Sequence, residues 1–416
     1  MKIYLETYGC TANKSDESVM LGVLKKNNYE IVKNIEDADV LVLLTCTVIG
    51  TTEQRMLSRL RTFKKTNKII VVAGCMASVQ ADLIRSIVPK AKLLSPRCSH
   101  HIADIIQEKN VVFAEENKNF APKYFENITA PISISEGCNL SCSYCITHLA
   151  RGQLTSYPMG EIVQDVCFAI KQGCKEIQIT AQDTASYGSD TGDNLGKLLL
   201  SICGIDGLFR VRVGMMNPFN VLKNLENIIN AYNDQKIYKF LHLPVQSGDN
   251  DILKKMNRKY AVDDFIKIVK KFIEKHSNIT LSTDVIVGFP TETDEQFQRT
   301  VELLRTVQPD IVNITRYSAR PQTKAKTMKP RIPTDIVKER SKHLTELCSA
   351  ISKGKNRGYI GKKYTILVTE MGKNDTFMGR AENYKPVILN EKVKIGSFSP
   401  VEIEDAASTY LIGKLI

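Results

Sequence analysis

Cys138-Asn139-Leu140-Ser141-Cys142-Ser143-Tyr144-Cys145 places three thiols on one loop in the spacing C-x3-C-x2-C, directly after the candidate strand Ile132 to Ser135. Three thiolates on a tight loop can hold three corners of a [4Fe–4S] cube. The fourth iron is then open to a small chelating molecule. Zinc is the alternative, since C-x2-C alone suits it, but such sites normally add a second Cys pair or nearby histidines. The close histidine here is His148.

Downstream of this loop the sequence alternates strand and helix. Candidate strands are Glu176 to Thr180, Arg210 to Val213, Lys239 to Leu243, Leu281 to Val287 and Asp310 to Thr315. Helical stretches such as Gly160 to Gln172, Leu222 to Tyr232 and Val262 to Lys275 lie between them. With Ile132 to Ser135 this makes six strand–helix units, too few for a closed eight-fold barrel. They suit an open, partial (βα)6 barrel with its ligand at the C-terminal ends of the strands. A basic helix from Thr334 to Lys353 follows, and Tyr364 to Leu415 reads as short strands punctuated by glycine, a small antiparallel β-barrel.

Upstream, the strands Lys2 to Tyr8, Val40 to Leu44 and Ile69 to Ala73 alternate with helices over Ser15 to Lys26, Thr52 to Lys65 and Val79 to Ile87. Continuous apolar runs between helices mean a parallel sheet. Cys10, Cys46 and Cys75 each follow one of these strands. The C-terminal ends of parallel strands share one edge, where ligand sites form, so three thiols distant in sequence can meet there. A second cluster with an open iron is one outcome, and three buried structural thiols are the other. The fold class is α/β: an N-terminal parallel-sheet α/β domain (1–122), a central partial barrel (131–355) and a C-terminal small antiparallel β-barrel (356–416), with a linker around Asn119 to Pro131.

The 416 residues are 43% hydrophobic and 25% charged, a composition that folds. No apolar run approaches the roughly 18 residues that span a bilayer. Met1-Lys2-Ile3-Tyr4-Leu5-Glu6 has no apolar stretch of the signal-peptide kind, so a cytoplasmic chain with no membrane partner is expected. An odd count of 11 cysteines argues against a disulfide scaffold. Cys98, Cys167, Cys174, Cys203 and Cys348 lack partners at ligand spacing. The net charge is +12, and Arg316 to Lys363 alone carries 14 basic and 3 acidic residues, a local +11. That concentration points to a polyanion, nucleic acid first, with a solvated lysine-rich helix as the bland reading.

The cysteine loop, with Tyr144 before its last Cys, resembles that of the radical S-adenosylmethionine (SAM) enzymes. The resemblance implies that the open iron binds SAM and that one electron yields a 5′-deoxyadenosyl radical, which abstracts an unactivated hydrogen. The whole chain is similar to one branch, the methylthiotransferases. The motifs are Tyr8-Gly9-Cys10-Thr11-Ala12-Asn13-Lys14-Ser15-Asp16-Glu17, Thr45-Cys46-Thr47-Val48, Ala73-Gly74-Cys75-Met76-Ala77, Ala150-Arg151-Gly152, Leu243-Pro244-Val245-Gln246-Ser247-Gly248, Met256-Asn257-Arg258 and Asp284 to Thr293. The last unit resembles the RNA-binding TRAM barrel. Arg320-Pro321-Gln322-Thr323 departs from the family pattern, which has Gly before Thr.

The resemblance implies a transferase with two iron–sulfur clusters, the SAM-binding [4Fe–4S] and an auxiliary one, also of [4Fe–4S] type, and two SAM molecules. One SAM supplies a methyl group to sulfur and the other the radical. The metal ligands are then Cys10, Cys46, Cys75, Cys138, Cys142 and Cys145, with no catalytic residue beyond them. Tyr144, Gln182, Asp183, Arg212, Gln246 and Val287 are the expected SAM contacts, and Arg316, Arg320, Lys362, Lys363, Arg380 and Lys385 the expected RNA contacts. Cys10-Thr11-Ala12-Asn13 is most similar to the archaeal and eukaryotic group that modifies N6-threonylcarbamoyladenosine at tRNA position 37, in the anticodon loop. Isopentenyladenosine at that position, or an aspartate of a ribosomal protein, are the substrates of the other groups. A non-catalytic RNA-binding iron–sulfur sensor is the reading from another class. An electron donor and a sulfur source are implied partners, and the chain is read as a monomer.

Overall fold

The computed structural model describes residues 1–48, 50–109 and 117–416. The N-terminal unit begins β1 (Lys2–Thr7), α1 (Thr11–Lys26), β2 (Glu30–Val32), β3 (Val40–Thr45). It continues α2 (Gly50–Lys64), β4 (Ile69–Gly74), α3 (Cys75–Val79), α4 (Ala81–Ile87), β5 (Lys92–Leu94) and α5 (Ile102–Ile106). The strands pair in the order β2-β1-β3-β4-β5, all parallel. The central strand, Val-Leu-Val-Leu-Leu-Thr, is buried along its whole length, as a strand covered on both faces must be. Two short strands, β2 and β5, extend the expected three-stranded sheet at its edges.

The middle unit contributes β6 (Thr129–Ser133), the small hairpin β7 (Ser135–Glu136) and β8 (Thr155–Ser156), and α6 (Thr147–Arg151) between them. Then come β9 (Glu176–Thr180), β10 (Arg210–Val213), β11 (Phe240–His242), β12 (Thr280–Val287) and β13 (Ile311–Arg316). β6, β9 and β10 form one parallel sheet, β11, β12 and β13 another, and a Val211–Ile237 bridge joins them. The result is an open barrel of six parallel strands. Ile177, Ile179, Val211, Val213, Leu241 and Val285 pack into the main core. The residues alternating with them, Gln178, Arg212, His242 and Asp284, are part-buried and polar, and line the other face. The lateral edge at β6 is covered by α1.

The long helix Thr334–Arg357 leads to β14 (Lys363–Met371), β15 (Phe377–Arg380), β16 (Pro386–Leu389), β17 (Phe398–Ala406) and β18 (Leu411–Leu415). They close in the order β14-β15-β16-β18-β17. The barrel is antiparallel except where β16 and β18 run parallel, which the antiparallel expectation missed. No helix among the described residues is long and apolar enough to cross a membrane.

Candidate metal centres

Three strand ends carry the first cysteine triad. Cys10 is exposed and caps α1, Cys46 follows β3, and Cys75 opens α3 directly after β4. Side-chain amide and hydroxyl groups clamp the loops together. Asn13 Nδ2 donates to Tyr8 O (2.7 Å) and Thr45 O (2.9 Å), and Thr45 Oγ1 donates to Ala73 O (2.6 Å). Two glycines make room. Gly9 has φ +120° and a Cβ there would meet Cys46 Cβ at 2.9 Å; Gly74 has φ +91° and a Cβ would meet Thr45 O at 2.5 Å. Burial raises the Cys46 thiol, with the charge of Cys10 adding; burial takes Cys75 up to about 11, against the lowering pull of Arg151.

The second triad lies on the loop after β7. The loop is held from several sides: Gly137 N donates to Gln182 Oε1 (2.6 Å), Cys138 N to Gly152 O (3.1 Å) and Ser143 N to Met256 O (3.0 Å). Asn257 Nδ2 donates to Ser141 O (2.7 Å), and Arg258 Nη1 reaches Cys142 Sγ at 3.5 Å. Burial pushes Cys138 up to about 12, with the charge of Asp183 adding. The charges of Cys145 and Cys142 are part of that rise.

Tyr144 packs against Ile252, Met256, Phe289 and Ala325 beside this loop. Gln182 orients the loop through Gly137. The Asp183 carboxylate, expected as a SAM contact, also braces the protein: its Oδ1 accepts from Ala185 N (3.2 Å) and Asn217 N (2.9 Å), and its Oδ2 from Asn220 Nδ2 (2.7 Å). Arg212 sits beside Gln178 in register and lies over the Phe240 and Tyr384 rings at 5.3 and 5.8 Å. Its surroundings are therefore set partly by the C-terminal barrel. Gln246, at φ +73°, donates its N–H to Asp284 O (2.7 Å). Val287 ends β12 with its side chain in the core, and its carbonyl accepts from Tyr317 N (2.9 Å).

Two of the six expected RNA contacts face inward. Arg320 is 5% exposed, and its Nη1 donates to Glu53 Oε2 at 2.8 Å. Lys385 is 4% exposed and donates to Asp310 Oδ1 (2.9 Å) and Asn356 Oδ1 (2.8 Å). Both are structural cations whose partners lie far off in the chain, beyond the reach of a charge count. Arg316, Lys362 and Lys363 are exposed, and Arg380 stacks on Tyr384 at 4.7 Å. Of the cysteines left without partners, Cys98, Cys174, Cys203 and Cys348 are buried.

Among the described residues, no three His, Cys, Asp or Glu side chains stand at single-ion coordination geometry. Each triad is all sulfur, the donor set by which iron–sulfur clusters are held. Asn13, Asp16, Arg151 and Arg258 lie inside the motifs, where spacing gives them no individual role; Glu136 and Lys118, which contact Asp16 or Arg151, carry no motif signal.

Residues 2–95 match the uncharacterized protein family UPF0004, residues 132–304 the radical SAM superfamily, and residues 357–416 the TRAM domain. The chain is 43% identical over 427 residues to a Pyrococcus horikoshii protein named probable threonylcarbamoyladenosine tRNA methylthiotransferase, with 100% of both chains covered. It is 32% identical over 430 residues to the Homo sapiens threonylcarbamoyladenosine tRNA methylthiotransferase, covering 99% of this chain and 74% of that one. Among solved structures, the radical S-adenosylmethionine methyltransferase TsrM from Kitasatospora setae, with cobalamin and a [4Fe–4S] cluster bound, has a TM-score of 0.57 at 12% identity. The match covers 78% of this chain and 77% of that one, a likeness of fold.

Proposed function

The chain belongs to the radical-SAM methylthiotransferase family, and we propose that it transfers a methylthio group to N6-threonylcarbamoyladenosine at position 37 of tRNA, a tRNA-processing step in the cytoplasm. The observation that carries this reading is the pair of cysteine triads, one at three strand ends and one on the adjoining loop, in a chain similar along its full length to proteins named for that reaction.

Cys138, Cys142 and Cys145 would hold the SAM-binding [4Fe–4S] cluster, and Cys10, Cys46 and Cys75 the auxiliary one. When bound, these groups supply radical generation from one SAM and a sulfur site methylated by another. The chain supplies position and shelter. Gln182 and the Asn257–Arg258 pair fix the loop, Tyr144 and its apolar neighbours shield one side, and α1 covers the β6 edge of the barrel. The polar inner face offers Gln178, Arg212, His242 and Asp284 to a nucleoside. Exposed Arg316, Lys362 and Lys363 would meet tRNA phosphates, which position the RNA without reading its sequence. An anticodon-loop base is already unpaired, so presenting it costs little. The enzyme acts as a monomer with an external electron donor and sulfur source.

Nucleoside mass spectrometry tests this. tRNA from a strain lacking the gene should hold N6-threonylcarbamoyladenosine without its 2-methylthio form, restored by the wild-type gene and not by Cys75→Ala. A methylthio group lost instead from isopentenyladenosine or from a ribosomal protein would overturn the assignment.

A further inference from the structure

Between the two triads lies a buried charged network. Asn13, Asp16, Lys118, Glu136 and Arg151 are each at most 4% exposed. They come from separate parts of the chain. Asn13 and Asp16 stand on α1, which Cys10 caps; Glu136 lies two residues before Cys138; Arg151 ends α6; Lys118 lies in the segment joining the two units. Cys75 belongs to the same contact set, because α3 packs against α6.

Arg151 is the hub. Its Nη1 donates to Glu136 Oε1 (2.6 Å), and its Nη2 donates to Asp16 Oδ2 (2.7 Å) and Asn13 Oδ1 (2.9 Å). Its Nε points at Cys75 Sγ, 3.4 Å away. Lys118 pairs with the remaining oxygens of Asp16 and Glu136 and also donates to Pro96 O (3.1 Å). Two cations thus balance two carboxylates, and the set is neutral before any thiolate is counted. Among the described residues, this guanidinium is the cation that touches a sulfur of the N-terminal triad. A planar fork with donors in fixed directions can serve four acceptors at once, and an ammonium cannot.

We propose that Arg151 is a positioning residue that locks the two cysteine triads to each other and, through its contact with Cys75 sulfur, raises the reduction potential of the cluster held by Cys10, Cys46 and Cys75. This rests on the reading of that triad as cluster ligands. One-electron reduction adds negative charge at the cluster, and hydrogen bonds to ligand sulfur and nearby cations favour the reduced form. Glu136 acts in the opposite sense, since it brings a negative charge to the same guanidinium.

The test uses the full chain with Cys138→Ala, Cys142→Ala and Cys145→Ala, so that one cluster remains, titrated with dithionite and followed by electron paramagnetic resonance. Against that background, Arg151→Gln should make reduction at least tenfold less favourable, a midpoint lower by about 59 mV for one electron. Glu136→Gln should move it the other way, and Arg151→Lys should fall between wild type and Arg151→Gln. Arg151→Gln leaves buried carboxylates short of a cation and can fail to fold. The double variant Arg151→Gln with Glu136→Gln restores the charge balance and should keep its iron with a lowered midpoint. Glu136→Gln retains the Arg151–Cys75 contact and is informative by itself. A midpoint unmoved, or moved the same way by both single changes, overturns the proposal. No iron at the N-terminal triad of the background protein would instead overturn the cluster reading on which it rests.

Discussion

At the scale of the residue, Gln322 is one of the side-chain-bearing positions whose backbone carries a cost. It adopts φ +60°, the left-handed region that costs a side-chain-bearing residue about 1–2 kcal/mol. The sequence departs from its family there by lacking glycine, and the backbone keeps the glycine-like conformation regardless. Gln322→Gly should therefore raise stability by about 0.5 kcal/mol, the relief of strain less the extra chain entropy of glycine in the unfolded state. Urea melts of the two proteins measure it, and a loss of stability would show that the Gln322 side chain contributes more than its backbone costs. Individual roles were the least legible part of the sequence. The cysteines stood out by spacing and strand position. Asp183 did not reveal that backbone and amide donors brace its carboxylate, because Asn217 and Asn220 lie more than thirty positions away.

Elements were legible where one rule decided them. The run Val40–Thr45 reads as a buried strand and is one. Thr293 and Gln296 form a capping box ahead of the helix Asp294–Val307, the S/T-x-x-E/Q pattern that marks a helix start. Shorter elements escaped: β2 and β5 have three residues each, too few for a periodic pattern, and the helix expected over Val79 to Ile87 forms as Ala81–Ile87 behind an unexpected short helix, Cys75–Val79, the two parted at Gln80 with ψ +35°. How elements join was hidden altogether, and Asp310 shows why. It stands just before β13, with its carboxylate on Lys355 of the long helix (2.7 Å) and on Lys385 of the C-terminal barrel (2.9 Å). Burial pushes its carboxyl up, but the two lysines outweigh that and hold it below the usual carboxylate range. Burial also depresses Lys385, against the pull of Asp310; the acid limit is set by the carboxyl. A depressed carboxyl stabilises above its unfolded value of about 3.9, and that contribution fades as pH falls through the folded value. Asp310→Asn should cost about 3 kcal/mol at neutral pH by leaving two cations unpaired. The gap from wild type should close below about pH 4. Thermal melts across pH measure both, and a gap independent of pH would mean the ion pair contributes nothing.

At the scale of the whole molecule, a charge count registers how much positive charge there is and not where it points. Arg316 to Lys363 carries +11, yet Arg320 is committed to Glu53, 267 positions away, Arg340 to Glu292, and Lys355 to Asp310. The cations that remain outside include Arg316, at the C-terminal end of β13, and Lys362 and Lys363, where β14 begins. Each contact with a phosphate releases counterions, so the logarithm of affinity should fall with the logarithm of salt by about 0.7 to 0.9 per phosphate neutralised. Replacing Lys362 and Lys363 together by Glu should remove two such contacts and flatten that slope by about 1.4 to 1.8. Phosphates are alike in every tRNA, so the loss of affinity should be the same for all tRNAs, modified at position 37 or not. Filter binding across a salt series, with several tRNAs, reads both quantities. An unchanged slope, or a loss confined to one tRNA, would place the RNA on another face of the molecule.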